Sequence, residues 1–123
     1  KDPDQRYTLA QWGDEAGRDR AAGAAFVVAE GRQSGTVGIY DAGGSVREDV
    51  VGAVVDAVGL HRVVFEAPRA GQQAFFVRRF GPDVNLGNVA LDEVLSVETL
   101  RLGLRSDTAG VTVPDVDAVE SVR

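Results

Sequence analysis

Three short apolar runs punctuate the chain: Ala25-Phe26-Val27-Val28-Ala29, Arg62-Val63-Val64-Phe65 and Val84-Asn85-Leu86. The first two are continuous rather than alternating, and continuous runs of that length suit strands buried on both faces, as in a parallel sheet. Between the runs the spacing turns helical. Thr8-Leu9-Ala10-Gln11 has the spacing of a capping box, with Thr8 as N-cap and Gln11 reaching back, and predicts a helix from about Leu9 to Ala22. Val51, Val54, Val55 and Val58 share one face of a second helix. Pro68 suits the first turn of a third, which runs to about Phe80 and stops at Gly81-Pro82. A fourth pattern, with Val94, Val97, Leu100 and Leu104, spans Leu91 to Leu104. The order α-β-α-β-α-β-α predicts an α/β fold of three adjacent parallel strands in chain order, with flanking helices on one side. Beyond Thr108 come Pro114 and scattered acids, which predict a loosely docked tail over 109–123 and a structured portion over 1–108.

Three strands leave two open edges and one uncovered face. Depending on register, that face carries Phe26 or Val27, Val64 or Phe65, and Leu86. The expectation is that further strands from outside this segment close the fold.

Composition narrows the picture modestly. With 123 residues, 44% hydrophobic and 26% charged, the chain is ordinary for one globular domain. No apolar run approaches the ~20 residues of a membrane-spanning helix. A net charge of -6 argues against a generic nucleic-acid binder. The sequence has no Cys, so disulfides and thiolate metal sites are excluded, in keeping with a cytoplasmic protein. It has no Met either, even at position 1, which suggests a processed or truncated chain. Lys1-Asp2-Pro3-Asp4 does not read as a secretory signal.

Candidate chemistry gathers where the strands end. Glu30-Gly31, Glu66-Ala67 and the segment Asn85 to Asn88 each place polar residues there, the end that carries function in parallel α/β folds. Glu30 and Glu66 either form part of a site or pair with nearby Arg residues. Glu30-Gly31-Arg32-Gln33-Ser34-Gly35 reads as a surface turn or as an anion loop in which Arg32 and Ser34 donate. Arg105, followed by Ser106, Asp107 and Thr108, is a similar cluster. His61 precedes a strand and reads as surface. Trp12, Phe75, Phe76 and Phe80 read as packing.

At several of these positions the sequence resembles the phosphosulfolactate synthase family. The resemblance is carried by Val64-Phe65-Glu66-Ala67-Pro68, Gln72-Gln73, the stretch Phe80-Gly81-Pro82-Asp83-Val84-Asn85-Leu86-Gly87-Asn88, and Val97-Glu98-Thr99-Leu100-Arg101-Leu102-Gly103-Leu104-Arg105. Glu30 to Gly35 is similar to the family's Glu-Gly-Arg-Glu-Ser-Gly loop, and Gly38-Ile39-Tyr40-Asp41 and Lys1-Asp2-Pro3 also look like family positions. The resemblance runs from Lys1 to about Thr108. It implies the carboxyl-terminal part of a (β/α)8 TIM barrel, three strands out of a fold of typically ~250 residues, whose missing amino-terminal half is a necessary partner. It also implies Mg2+-assisted addition of sulfite to phosphoenolpyruvate, giving phosphosulfolactate, the opening step of one coenzyme M route.

On that implication Glu30 and Glu66 contact the metal directly or through water, and Lys1 is the general acid. Arg32, Ser34, Asn85 and Arg105 hold the small anionic substrates, and the enzyme is a homo-oligomer. Gln33 stands where the family usually has Glu, and Ser106 where it usually has Gly. These departures leave two alternatives: an altered member binding a phosphorylated or sulfonated metabolite, or a non-catalytic barrel fragment.

Overall fold

The computed structural model describes residues 7–31 and 38–111. Helix α1, Leu9–Ala21, opens on the capping box that the spacing requires. Thr8 Oγ1 accepts from the Gln11 N–H at 3.3 Å, and Gln11 Oε1 accepts from the Thr8 N–H at 2.8 Å. Two donors that the first turn would otherwise leave without partners are thereby satisfied. Strand β1 (Val27–Ala29), helix α2 (Glu48–Val58), strand β2 (Val63–Glu66), helix α3 (Ala70–Phe80), strand β3 (Leu86–Gly87) and helix α4 (Val94–Arg101) follow in chain order. Short 3-10 turns precede β2 at Leu60–Arg62 and α4 at Leu91–Glu93.

The strands form one parallel sheet in the order β1-β2-β3, as the alternation of runs and helices requires. Val27 pairs with Val63, Val28 with Val64 and Ala29 with Phe65. Phe65 in turn pairs with Leu86, and Glu66 with Gly87. Partners in register share a face, so Ala29, Val63, Phe65 and Leu86 look toward the helices, whereas Val28, Val64, Glu66 and Gly87 look the other way. Leu86 therefore belongs to the helix-covered side and not to the open face on which the sequence had placed it.

The helix side is the core. Phe65 stacks on Phe76 with ring centroids 4.5 Å apart and on Phe80 at 5.6 Å, while Phe75 meets Phe76 edge-on at 5.4 Å. Fully buried Phe65 and Phe76 are each worth about 1.5–3 kcal/mol by transfer from water. Val50, Val51 and Val54 of α2 complete this layer. Pro68 does not occupy the first helical turn. Arg69 is the extended N-cap of α3, and Pro68 lies one residue before it, where a residue with fixed φ and no N–H is accommodated outside the helix.

Among the described residues, the opposite face is left partly open. Phe26 and Val28 are 56% and 53% exposed, although both lie in the most apolar run of the sequence. A second apolar surface lies on α4 and the turn before it, where Leu91 and Leu95 are 92% and 80% exposed. No helix among the described residues is long and apolar enough to cross a membrane.

Candidate functional site

One residue past the last pair of β1 and β2, Ala29 with Phe65, come Glu30 and Glu66. Both lie at the carboxyl end of the sheet, as the strand ends predicted. Glu30 is exposed and Glu66 half-buried. The ion pairs among the described residues are Arg79 with Glu48 and Arg105 with Asp107, so the pairing of Glu30 or Glu66 with a described Arg is not seen.

Glu66 is held from two directions. The Gly31 N–H donates to its Oε2 at 3.0 Å, and the Tyr40 hydroxyl donates to its main-chain carbonyl at 2.5 Å. Gly31 itself lies against Tyr40. A Cβ on Gly31 would come within 2.2 Å of Tyr40 Cε2, so glycine is required by close approach. Tyr40 is buried, and that burial, followed by the negative charge of Glu66, pushes its phenol well above the usual range and keeps the proton in place.

Residues from Gly38 onward are tied to the end of β1 and to one another. Gly31 bridges Gly38, Tyr40 bridges Val46, and the Ile39 N–H donates to the Glu30 carbonyl at 3.2 Å. Asp41 Oδ1 closes the turn by accepting from Gly43 N at 2.8 Å and Ser45 N at 2.9 Å. Gln72 Nε2 donates to the Gly44 carbonyl at 3.1 Å, which docks this turn on the first turn of α3. Beside it, fully buried Gln73 donates to the Ala67 carbonyl at 3.0 Å and to Glu93 Oε2 at 3.1 Å, tying the end of β2 to the turn before α4.

The other predicted residues fare differently. Asn85 is not at the site. Its Nδ2 donates to the His61 and Val63 carbonyls at 3.3 and 3.2 Å, so it fastens the amino-terminal end of β3 to that of β2. The polar residue at the carboxyl end of β3 is Asn88, whose φ of 53° is the left-handed value of a turn. Arg105 folds back on α4, where it donates to Ser96 Oγ at 3.0 Å and faces Asp107 Oδ1 at 3.6 Å. No described contact brings it to Glu66. Lys1, Arg32 and Ser34 lie outside the described residues, as do Gln33 and all of the tail beyond Val111. Tyr40 is the residue at the site to which sequence reasoning gave no role. Its signal was a lone Tyr among Gly38, Ile39 and Asp41, in a stretch noted only for its resemblance.

The donors suit a hard cation. Glu30 and Glu66 offer carboxylate oxygens at neighbouring strand ends, and one oxygen of Glu66 is already oriented by the Gly31 N–H. Among the described residues no group of three or more His, Cys, Asp or Glu could hold a metal. Glu30 and Glu66 are the residues at these strand ends that could contact a divalent cation that keeps most of its waters, as Mg2+ does.

The described residues form a parallel α/β sheet with two carboxylates at its carboxyl end, the end from which proteins of this class commonly work. The chain belongs to the phosphosulfolactate synthase family: the family described as (2R)-phospho-3-sulfolactate synthase (ComA) matches residues 1–107. It is 43% identical over 110 residues to a phosphosulfolactate synthase of Methanothermobacter thermautotrophicus, covering 89% of this chain and 40% of the relative. It is 48% identical over 93 residues to that of Methanocaldococcus jannaschii, covering 75% of this chain and 37% of the relative. The Bacillus subtilis phosphosulfolactate synthase is 40% identical over 104 residues, 84% of this chain and 41% of the relative. The chain thus spans about two-fifths of the length of these relatives.

Proposed function

We propose that this chain is the carboxyl-terminal part of a (β/α)8 barrel lyase that adds sulfite to phosphoenolpyruvate to give phosphosulfolactate. The observation that carries this reading is the Glu66 carboxylate, fixed by the Gly31 N–H at the carboxyl end of β2 in a chain of this family. The open sheet face and the relatives' greater length support the barrel, with the rest of the family fold supplying the remaining strands.

In the proposed reaction the sulfur lone pair of sulfite forms a bond to C3 of phosphoenolpyruvate. The C2–C3 π electrons move toward C2 and the carboxylate, and a proton is delivered to C2. Glu30 and Glu66 would hold Mg2+ directly or through water, and the bound metal would supply Lewis-acid stabilisation of charge on the carboxylate side. Lys1 is the proposed proton donor, and Arg32 and Ser34 the proposed contacts to phosphate or sulfite. The Gly31 N–H holds one oxygen of the Glu66 carboxylate at 3.0 Å. The working enzyme on this reading is a cytoplasmic homo-oligomer, and the exposed apolar surface of Leu91 and Leu95 supports assembly.

The full-length protein, given sulfite, phosphoenolpyruvate and Mg2+, is expected to consume phosphoenolpyruvate only when all three are present. Thermal stabilisation by phosphoenolpyruvate without turnover favours an altered member that binds a phosphorylated metabolite, the reading to which Gln33 points. Neither turnover nor stabilisation contradicts both and leaves a non-catalytic role.

A further inference from the structure

We infer that Tyr40 is a positioning residue for Glu66, working through a two-point clamp that it forms together with Gly31. This inference rests on the functional reading of Glu66 given above and adds a residue to it. Three observations converge. The Tyr40 hydroxyl donates to the Glu66 main-chain carbonyl at 2.5 Å, a short contact between oxygens. The Gly31 N–H donates to the Glu66 side chain at 3.0 Å. The Gly31 Cα lies so close to the Tyr40 ring that no side chain fits between them.

The main chain and the carboxylate of Glu66 are thus fixed by two residues that fix each other. The parts come from three places in the sequence, residues 31, 40 and 66, and the antiparallel bridges Gly31–Gly38 and Tyr40–Val46 close the unit. If the hydroxyl served packing alone, its partner could be any carbonyl of the sheet. Instead it holds the one residue of β2 whose side chain ends the strand with a charge. Tyr40 reaches Glu66 through the main-chain carbonyl and not through the carboxylate, so it acts on the backbone that carries the charged group. Its role is to set where the Glu66 carboxylate points, and hence how well that carboxylate meets a divalent cation.

The test uses the full-length protein with Mn2+ as a spectroscopic stand-in for Mg2+, and compares Tyr40→Phe, Glu66→Gln and the double variant. Tyr40→Phe keeps the ring and removes only the donor. The expected result is Mn2+ binding weakened about 10-fold or more, by the range seen when partners of metal ligands are removed. kcat should fall while KM for phosphoenolpyruvate changes little. The double variant should bind Mn2+ no more weakly than Glu66→Gln alone. Tyr40→Phe that lowers the melting temperature but leaves Mn2+ affinity and kcat unchanged overturns the clamp while sparing the role of Glu66. Glu66→Gln with full activity and full Mn2+ affinity overturns both.

Discussion

Gly31 and Tyr40 show how much of this site rests on individual atoms. Gly31→Ala places a methyl group against the Tyr40 ring at 2.2 Å, and the ring cannot swing away without breaking its hydrogen bond to the Glu66 carbonyl. Overpacking of this kind is expected to destabilise by about 1–3 kcal/mol, read as a lowered melting temperature. An unchanged melt would mean that the contact between Gly31 and Tyr40 relaxes without cost. The pH dependence follows from the raised Tyr40 phenol. Because the folded state holds that proton more tightly than the unfolded chain, its contribution is complete below the unfolded value of about 10 and is lost as pH rises beyond it. Stability of the full-length protein should therefore fall above about pH 10, and Tyr40→Phe should flatten that part of the profile. None of this was legible in the sequence. Tyr40 and Glu66 are 26 positions apart, and nothing local to either announces the contact.

The elements were largely legible where the pattern is local. Thr8 and Gln11 mark the start of α1 because a capping box is complete within four residues. Thr8→Ala is expected to lower stability by about 1 kcal/mol without altering kcat, which denaturant unfolding and steady-state rates can check together. The aromatic set of α3 was legible as packing. Phe76→Ala should cost about 3–5 kcal/mol, since Phe76 is fully buried against Phe65 and Phe80. The misreadings lie at boundaries. Asn85 reads with Asn88 as the polar end of the third strand, but β3 begins only at Leu86, and the Asn85 amide satisfies carbonyls at the start of β2. Whether a polar residue closes one strand or opens the next depends on the pairing register, which the run does not contain. The same uncertainty misplaced Leu86.

At the scale of the molecule, Phe26 and Val28 on the sheet and Leu91 and Leu95 beside α4 are exposed apolar side chains of the described residues, the kind of surface that partners cover. Residues 1–123 expressed alone are expected to associate rather than run as a monomer on size exclusion with light scattering; a monodisperse monomer with a cooperative melt would show that these surfaces need no cover. The chain's place in the family and its length, about two-fifths of its relatives, make the full-length protein the right object for chemistry. The most direct measurement is a 31P NMR time course of that protein with sulfite, phosphoenolpyruvate and Mg2+, run beside Glu66→Gln at equal folded concentration. The account predicts conversion of the phosphoenolpyruvate resonance to a new organic phosphate, slowed roughly 100-fold or more in the variant, as for loss of a group that stabilises developing charge. Conversion at the same rate in both proteins, or no conversion by a well-folded wild type, would contradict it.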